Sequence, residues 1–143
     1  MATIDLQITL HAPLFDVFKA VTDFEAYPQW QPHVSLAKVS DGAPFRVGSM
    51  VYLEKKFGMG SIFINADVTE HQRNKSLELK GVHGRFRFRR LIEFTSTGRE
   101  TLIRDSMTVH TGWLYFWYTP LLTATLRQQM RHEWELLRRK LTS

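Results

Sequence analysis

The fold of this protein is decided by residues 49–111, which read SMVYLEKKFGMGSIFINADVTEHQRNKSLELKGVHGRFRFRRLIEFTSTGRETLIRDSMTVHT. Apolar and polar residues alternate through much of this stretch, which is the pattern of β-strands with one face in a core and the other in water. Short loop-forming segments interrupt the alternation at residues 57–60, 71–74, 81–84 and 96–99. Taken as four-residue hairpin loops, these segments predict a series of antiparallel strands.

The four loops imply a register in which apolar residues face one another across each strand pair. The predicted pairs are Leu53 with Ile64, Val51 with Ala66, Ala66 with Leu79, Val68 with Leu77, Leu77 with Phe88, Leu79 with Phe86, Phe88 with Met107, Phe86 with Val109 and Ile92 with Ile103. A slip of one residue would turn a strand's apolar residues to the opposite face, so this agreement predicts one continuous sheet. The opposite face is predicted to be wet and carries Asp67, Glu70 (opposite Lys75), Glu78, Arg85, Arg87, Arg89, Glu93 and Arg104.

The segments on either side of this stretch complete the sheet and cover it. Residues 3–10 alternate as a strand, and a short amphipathic helix is predicted with Pro13 at its first position. Residues 27–32 contain two prolines and predict a bent connection rather than regular helix, and a second strand follows at about residues 33–40. From about residue 119 to 141 the spacing is helical, with an apolar stripe of Leu122, Leu126, Met130, Trp134, Leu137 and Leu141.

Composition excludes several classes of site. The chain has no cysteine, so disulfides, thiolate nucleophiles and zinc–thiolate centres are absent. The six histidines show no ligand spacing, and neither a Gly-x-Ser-x-Gly elbow nor a phosphate-binding glycine loop is present, so we expect no metal and no cofactor. No leader-like segment and no apolar run long enough to span a membrane occurs, which predicts a cytoplasmic protein.

The order of predicted elements resembles the helix-grip superfamily of START-like (SRPBCC) proteins, in its polyketide cyclase/dehydrase-like branch. The resemblance rests most specifically on residues 12–18 (APLFDVF), residues 22–30 (TDFEAYPQW) and Asp105. It implies an α+β fold: a curved seven-stranded antiparallel sheet wrapped around a long C-terminal helix, with two short helices between strands one and two. It also implies a single START-like ligand-binding domain over residues 1–143.

The predicted register places Arg90 and Asp105 opposite each other on the inward face, as an ion pair among apolar residues. The pair is either structural, since buried charges need partners, or functional, with Arg90 offering its forked donors to a ligand carboxylate or carbonyl and Asp105 orienting it. The resemblance places Trp30 at the entrance or end wall of a pocket. The predicted ligand-binding residues are Trp30, Leu53, Ile64, Phe86, Phe88, Arg90, Asp105, Met107, Leu126 and Met130.

Three functions are open at this stage. The first is a carrier or binder of a hydrophobic small molecule such as a lipid, an isoprenoid or a polyketide. The second is a cyclase or dehydratase, for which no catalytic residue is assigned. Its candidates are Arg90 and Asp105, with Tyr52 and Glu54 weaker because strand parity points them outward. The third is an adaptor that meets a membrane, RNA or protein partner through its basic face or the aromatic residues 113–118; the net charge of +5 permits this. A membrane surface is the alternative partner that we retain, and nucleic acid is not expected.

Overall fold

The computed structural model describes residues 2–31, 34–39, 47–57, 60–83, 86–110 and 119–142. These residues form an α+β structure of seven strands and three α-helices, in the order that the sequence predicts. The strands are β1 (Ala2–Leu10), β2 (Val34–Val39), β3 (Met50–Phe57), β4 (Gly60–Gln72), β5 (Ser76–His83), β6 (Phe86–Ser96) and β7 (Thr101–His110). The helices are α1 (Leu14–Thr22), α2 (Tyr27–Trp30) and α3 (Thr119–Thr142), and a short 3-10 turn, Phe24–Ala26, lies between α1 and α2.

All seven strands form one antiparallel sheet in the order β1-β7-β6-β5-β4-β3-β2. Strands β3 to β7 are neighbours in sequence and in space, and only a few residues separate each strand from the next. The first strand instead pairs with the last, from Ala2 opposite Val109 to Leu10 opposite Thr101. The inward face therefore extends across all seven strands, from β1 at one edge to β2 at the other.

One end of this inward face is fully packed, and we call it the closed end. Helix α1 buries Val17, Phe18 and Val21 against it, and the Phe18 ring meets that of Phe94 edge-on, with 5.2 Å between centroids. The C-terminal half of α3 contributes Leu137, which is fully buried. Side chains on one face of a helix recur about every 3.6 residues, and those on one face of a strand recur every second residue. The buried faces of the helices and of the sheet therefore meet in one core.

Several predicted strand partners are wrong, although the predicted faces are right. Strand β4 pairs Val68 with Leu79 and Ala66 with Gly81, because Asn74 adopts a left-handed backbone (φ 58°) that allows a shorter turn, and a bulge separates Val68 from Glu70. The bulge also places Glu70 opposite Glu78 rather than Lys75. The bulge adds one residue to β4. This extra residue offsets the change in turn length, so the predicted faces are kept on both sides of the bulge.

The next two hairpins are shifted by an even number of residues. Strand β5 pairs Leu77 with Ile92, Leu79 with Arg90 and His83 with Phe86, instead of the predicted partners of Leu77 and Leu79. Strand β6 pairs Phe88 with Val109, Arg90 with Met107, Ile92 with Asp105 and Phe94 with Ile103. Side chains alternate with period two, so an even shift changes the partner and preserves the face. The first hairpin has the predicted register, with Leu53 opposite Ile64 and Val51 opposite Ala66.

Two local predictions about proline are also wrong. Pro13 is the residue before α1, in an extended conformation, and not its first helical residue. Residues 27–30 do form one helical turn, because Pro28 lies in its first turn, where a missing backbone N–H costs no hydrogen bond. None of the helices in the described residues is long and apolar enough to cross a bilayer.

Candidate functional site

The inward face is incompletely covered at the end opposite α1. This end, which we call the hairpin end, is where β3 and β5 end and β4 and β6 begin, and it faces the N-terminal half of α3. Its inward-pointing apolar side chains remain partly exposed: Ile64, Phe86, Phe88, Met107 and Leu126. Exposed inward-facing apolar groups beside a packed core are the surface that a hydrophobic ligand would cover.

Arg90 and Asp105 form a buried ion pair next to these residues. Arg90 Nε donates to Asp105 Oδ1 at 3.0 Å, and Nη2 donates to Oδ2 at 2.6 Å. The Asp105 side chain is fully buried, and that of Arg90 is 17% exposed. The prediction of an inward-facing ion pair is confirmed, but the two residues are diagonal neighbours, since Arg90 lies opposite Met107 and Asp105 opposite Ile92. The length of the arginine side chain makes the diagonal contact possible.

The pair belongs to a larger network that the sequence analysis missed. Glu133 of α3 places Oε2 at 3.6 Å from Arg90 Nη1 and accepts a hydrogen bond from Lys55 Nζ at 3.0 Å on Oε1. Trp134 donates its indole N–H to Asp105 Oδ2 at 2.8 Å. We refer to Lys55, Glu133, Arg90 and Asp105 as the ionic network. It joins β3, β6 and β7 to α3 through the interior.

Simple periodicity would have found both missing members. Lys55 has the same strand parity as the inward-facing Val51 and Leu53. Glu133 lies three residues after Met130 and four before Leu137, which places it on the apolar stripe of α3. A charged residue at an inward position needs a partner of opposite charge. Lys55 and Glu133 are such partners for each other.

Neighbouring charges keep Glu133 and Arg90 ionised. Burial by itself would raise the pKa of Glu133, but the neighbouring Lys55 and Arg90 charges outweigh it and hold that pKa below the ordinary value. Burial likewise opposes the charged form of Arg90, yet Asp105 and Glu133 raise its pKa further above its already high value. Burial also raises the pKa of Tyr27, which lies close enough to feel the charges of Arg90 and Glu133.

The other predicted site residues lie within the core. Leu53 and Met130 are buried, at 9% and 2% exposure. Trp30 packs against the main buried core cluster and meets the Tyr27 ring edge-on, with 5.2 Å between centroids. Its indole nitrogen is buried and has no hydrogen-bond partner among the described residues. Trp30, the last residue of α2, therefore packs against the same core cluster as Ile64 and Phe88.

The outward face differs from its prediction at one residue. Glu78 is only 7% exposed, because it receives hydrogen bonds from Thr69 Oγ1 at 2.7 Å and from Arg89 Nε at 2.7 Å. Tyr52 does lie on the outward face, stacked on Phe63 with 6.2 Å between ring centroids. Arg85 and the aromatic residues 113–118 lie outside the described residues.

A groove of about 620 Å³ runs between β1 and α3 on the free edge of the sheet. Its floor includes Leu6, Ile8 and Trp134, and its rim carries charged residues such as Arg131 and Arg138. Asp105 does not line this groove, but its strand partner Leu6 and its hydrogen-bond donor Trp134 both do. Its charged rim distinguishes it from the apolar surface at the hairpin end.

Comparison with known proteins identifies relatives of this architecture. The sequence matches the family model described as "polyketide cyclase / dehydrase and lipid transport" over residues 1–142. A START superfamily protein from Mycobacterium smegmatis is 18% identical, with a TM-score of 0.83 over 99% of this chain and 98% of that one. Ara h 8.0201 is 12% identical, with a TM-score of 0.82 over 98% and 97% of the two chains.

A third solved structure carries an enzyme name. The Zhui aromatase/cyclase from Streptomyces sp. R1128 is 8% identical, with a TM-score of 0.73 over 98% of this chain and 93% of that one. No curated protein matches the sequence significantly. At these identities the structural similarity establishes the helix-grip fold, and the ligand has to be argued from the site itself.

Proposed function

This chain belongs to the polyketide cyclase/dehydrase and lipid transport family, and on that premise we propose that it binds a hydrophobic small molecule between the hairpin end of the sheet and α3. The observation that carries the proposal is the set of inward-facing side chains that α3 leaves partly exposed: Ile64, Phe86, Phe88, Met107 and Leu126. Elsewhere the same face is packed to exclusion of water, as at Leu77 and Ile103. Covering the exposed residues with an apolar ligand would be favourable by about 25 cal/mol for each Å² removed from water.

The ionic network supplies the polar contrast that ligand sites need. Binding sites for small molecules are lined mostly by apolar side chains and carry a few placed polar groups that orient the ligand. Arg90 stands between Phe88 and Ile92 on β6, directly opposite Met107. A ligand covering Phe88 and Met107 would therefore bring one of its ends to the Arg90 guanidinium.

A binding or carrier role is better supported than proton-transfer catalysis. A general acid or base works best with a pKa near the operating pH. The pKa of Glu133 is lowered, and the pKa values of Arg90 and Tyr27 are raised. Each of these three shifts moves the pKa further from pH 7. Their environment favours fixed charges and a neutral phenol over groups that exchange protons during a reaction.

The pairing of several surface arginines gives less support to an adaptor role. Arg89 pairs with Glu78 at 2.7 Å, Arg104 with Asp5 at 3.0 Å and Arg138 with Glu135 at 2.7 Å. Each of these arginines already has a carboxylate neighbour within the chain. Such pairing reduces the positive potential available to phosphate groups.

The proposal is tested by filling the exposed inward surface. Ile64→Trp would place a large side chain among the partly exposed residues, whereas Phe63→Trp makes the same change one residue away on the outward face, where Phe63 is 49% exposed. Nile red, an uncharged dye whose fluorescence rises in apolar surroundings, is titrated into each protein. We expect wild type and Phe63→Trp to take up the dye, and Ile64→Trp to bind it about ten-fold more weakly, a change of about 1.4 kcal/mol.

Native mass spectrometry of the purified protein provides the independent readout. A lipophilic mass that accompanies wild type and Phe63→Trp, and that is lost from Ile64→Trp, would support the assignment. Equal dye affinity in both variants, or greater loss in Phe63→Trp, would place binding elsewhere and refute the proposed site.

A further inference from the structure

The ionic network has no net charge. Lys55 and Arg90 contribute two cations, Asp105 and Glu133 contribute two carboxylates, and each contact joins opposite charges. The four side chains are between fully buried and 22% exposed, so water screens them poorly. A ligand that brought a charge of either sign to this neutral set would leave that charge without a partner in the interior, which is costly.

The contacts within the network do not use all of its hydrogen-bonding capacity, however. Both oxygens of Asp105 accept from Arg90, and Oδ2 also accepts from Trp134. Glu133 has one oxygen on Lys55 and the other toward Arg90. An ammonium and a guanidinium have more N–H groups than these contacts use, so Lys55 and Arg90 both retain unused donors. Among the described residues, no contact other than those to Glu133 and Asp105 engages the head groups of Lys55 and Arg90.

These unused donors lie beside the apolar surface. Lys55 is two residues from Leu53 on the inward side of β3, and Arg90 is two residues from Phe88 on β6. Lys55 is the most exposed member of the network, at 22%. A ligand at the hairpin end would therefore meet spare N–H groups at the polar limit of its site.

We propose, as a refinement that rests on the binding function above, that the ligand is an uncharged amphiphile whose polar end carries hydrogen-bond acceptors, such as an ester, ketone or amide oxygen. Hydrogen-bond acceptors on the ligand would fit the spare donors of the ionic network. A carboxylate or an ammonium group on the ligand would instead upset the charge balance of the network. Removing one charge from the network should therefore change which head group binds.

The test uses three probes with the same alkyl chain: methyl decanoate, decanoate and decylammonium. Each competes with Nile red at about pH 7.5, where the acid and the amine are charged. An uncharged chain enters any apolar site more easily than a charged one, so a preference of the wild type for the ester is expected but does not decide the matter. The decisive measurement is how the preference changes in variants of opposite charge.

Glu133→Gln leaves a surplus positive charge, and Lys55→Met leaves a surplus negative one. We expect Glu133→Gln to strengthen decanoate binding by about ten-fold relative to the ester, and Lys55→Met to do the same for decylammonium. Glu135→Gln and Lys56→Met make the same chemical changes at exposed neighbouring positions and should leave the order of the probes unchanged. Two variants of opposite sign keep the test valid if one of them fails to fold.

The outcomes separate this inference from the proposed function. If wild type binds Nile red but the relative affinities of the three probes are the same in every folded variant, or if wild type prefers decanoate, selection by the ionic network is overturned and apolar binding stands. If wild type takes up neither the dye nor any probe, the binding function fails, and the refinement fails with it.

Discussion

At the scale of single residues, the fully buried Asp105 is the acceptor on which two donors depend. It accepts hydrogen bonds from Nε and Nη2 of Arg90 and from the indole N–H of Trp134. Asp105→Ala would leave Arg90 with Glu133 as its remaining anion and would leave the Trp134 N–H without its acceptor. We expect the free energy of unfolding, measured by urea denaturation, to fall by about 3 to 5 kcal/mol, as is usual when one partner of a buried pair is removed.

Asp5→Ala is the matched control for this residue. Asp5 pairs with Arg104 on the outward face at 3.0 Å, and both side chains are about half exposed. Water screens that pair, so its removal should change the unfolding midpoint far less. A comparable loss in the two variants would contradict the interpretation that burial makes Asp105 important.

At the scale of elements, the pairing of β4 with β5 depends on Gly81. Gly81 lies opposite Ala66 in one direction and Phe88 in the other, at a point where the backbone of β4 comes very close. A Cβ at position 81 would overlap the Asn65 carbonyl oxygen and lie 2.8 Å from Ala66 Cα. Glycine within a strand commonly marks such a close approach.

Gly81→Ala should therefore destabilise the protein by about 1 to 3 kcal/mol, the range for overpacking a filled site. Val82→Ala, at the next residue in the same strand, alters a side chain that is 46% exposed and should change stability by no more than about 0.5 kcal/mol. Thermal unfolding followed by circular dichroism compares the two variants. If the Gly81→Ala protein is as stable as the Val82→Ala protein, β4 and β5 can move apart at this point without loss of stability, which would contradict the prediction.

At the scale of the whole molecule, the closed end and the hairpin end have different roles. Phe18 is 5% exposed in the closed-end cluster, so Phe18→Ala should cost about 3 to 5 kcal/mol of stability. Phe88 is only partly buried, so Phe88→Ala should cost about 1 kcal/mol and weaken Nile red binding instead. Urea denaturation and dye titration on both variants test this division. It is contradicted if Phe18→Ala, while folded, loses the dye and Phe88→Ala retains it.

Strand parity explains how the faces were predicted correctly while many partners were not. Arg90, Phe88 and Met107 were expected to point inward, and they do. The errors in register are even shifts, or shifts that a bulge compensates, and neither moves a side chain to the other face. Turn length and the bulge depend on local backbone geometry, such as the left-handed Asn74, which apolar patterning does not report.

The amino-acid sequence by itself determined the order of elements, the inward face of the sheet, the apolar stripe of α3 and the entry of Arg90 and Asp105 into the interior. It did so because alternation with period two or 3.6 is written directly in the residue types. Only the tertiary structure decided that Glu133 meets both Arg90 and Lys55, and that apolar residues at the hairpin end remain partly exposed. Those features depend on how α3 is placed across the sheet, and that placement comes from the packing of all the elements together.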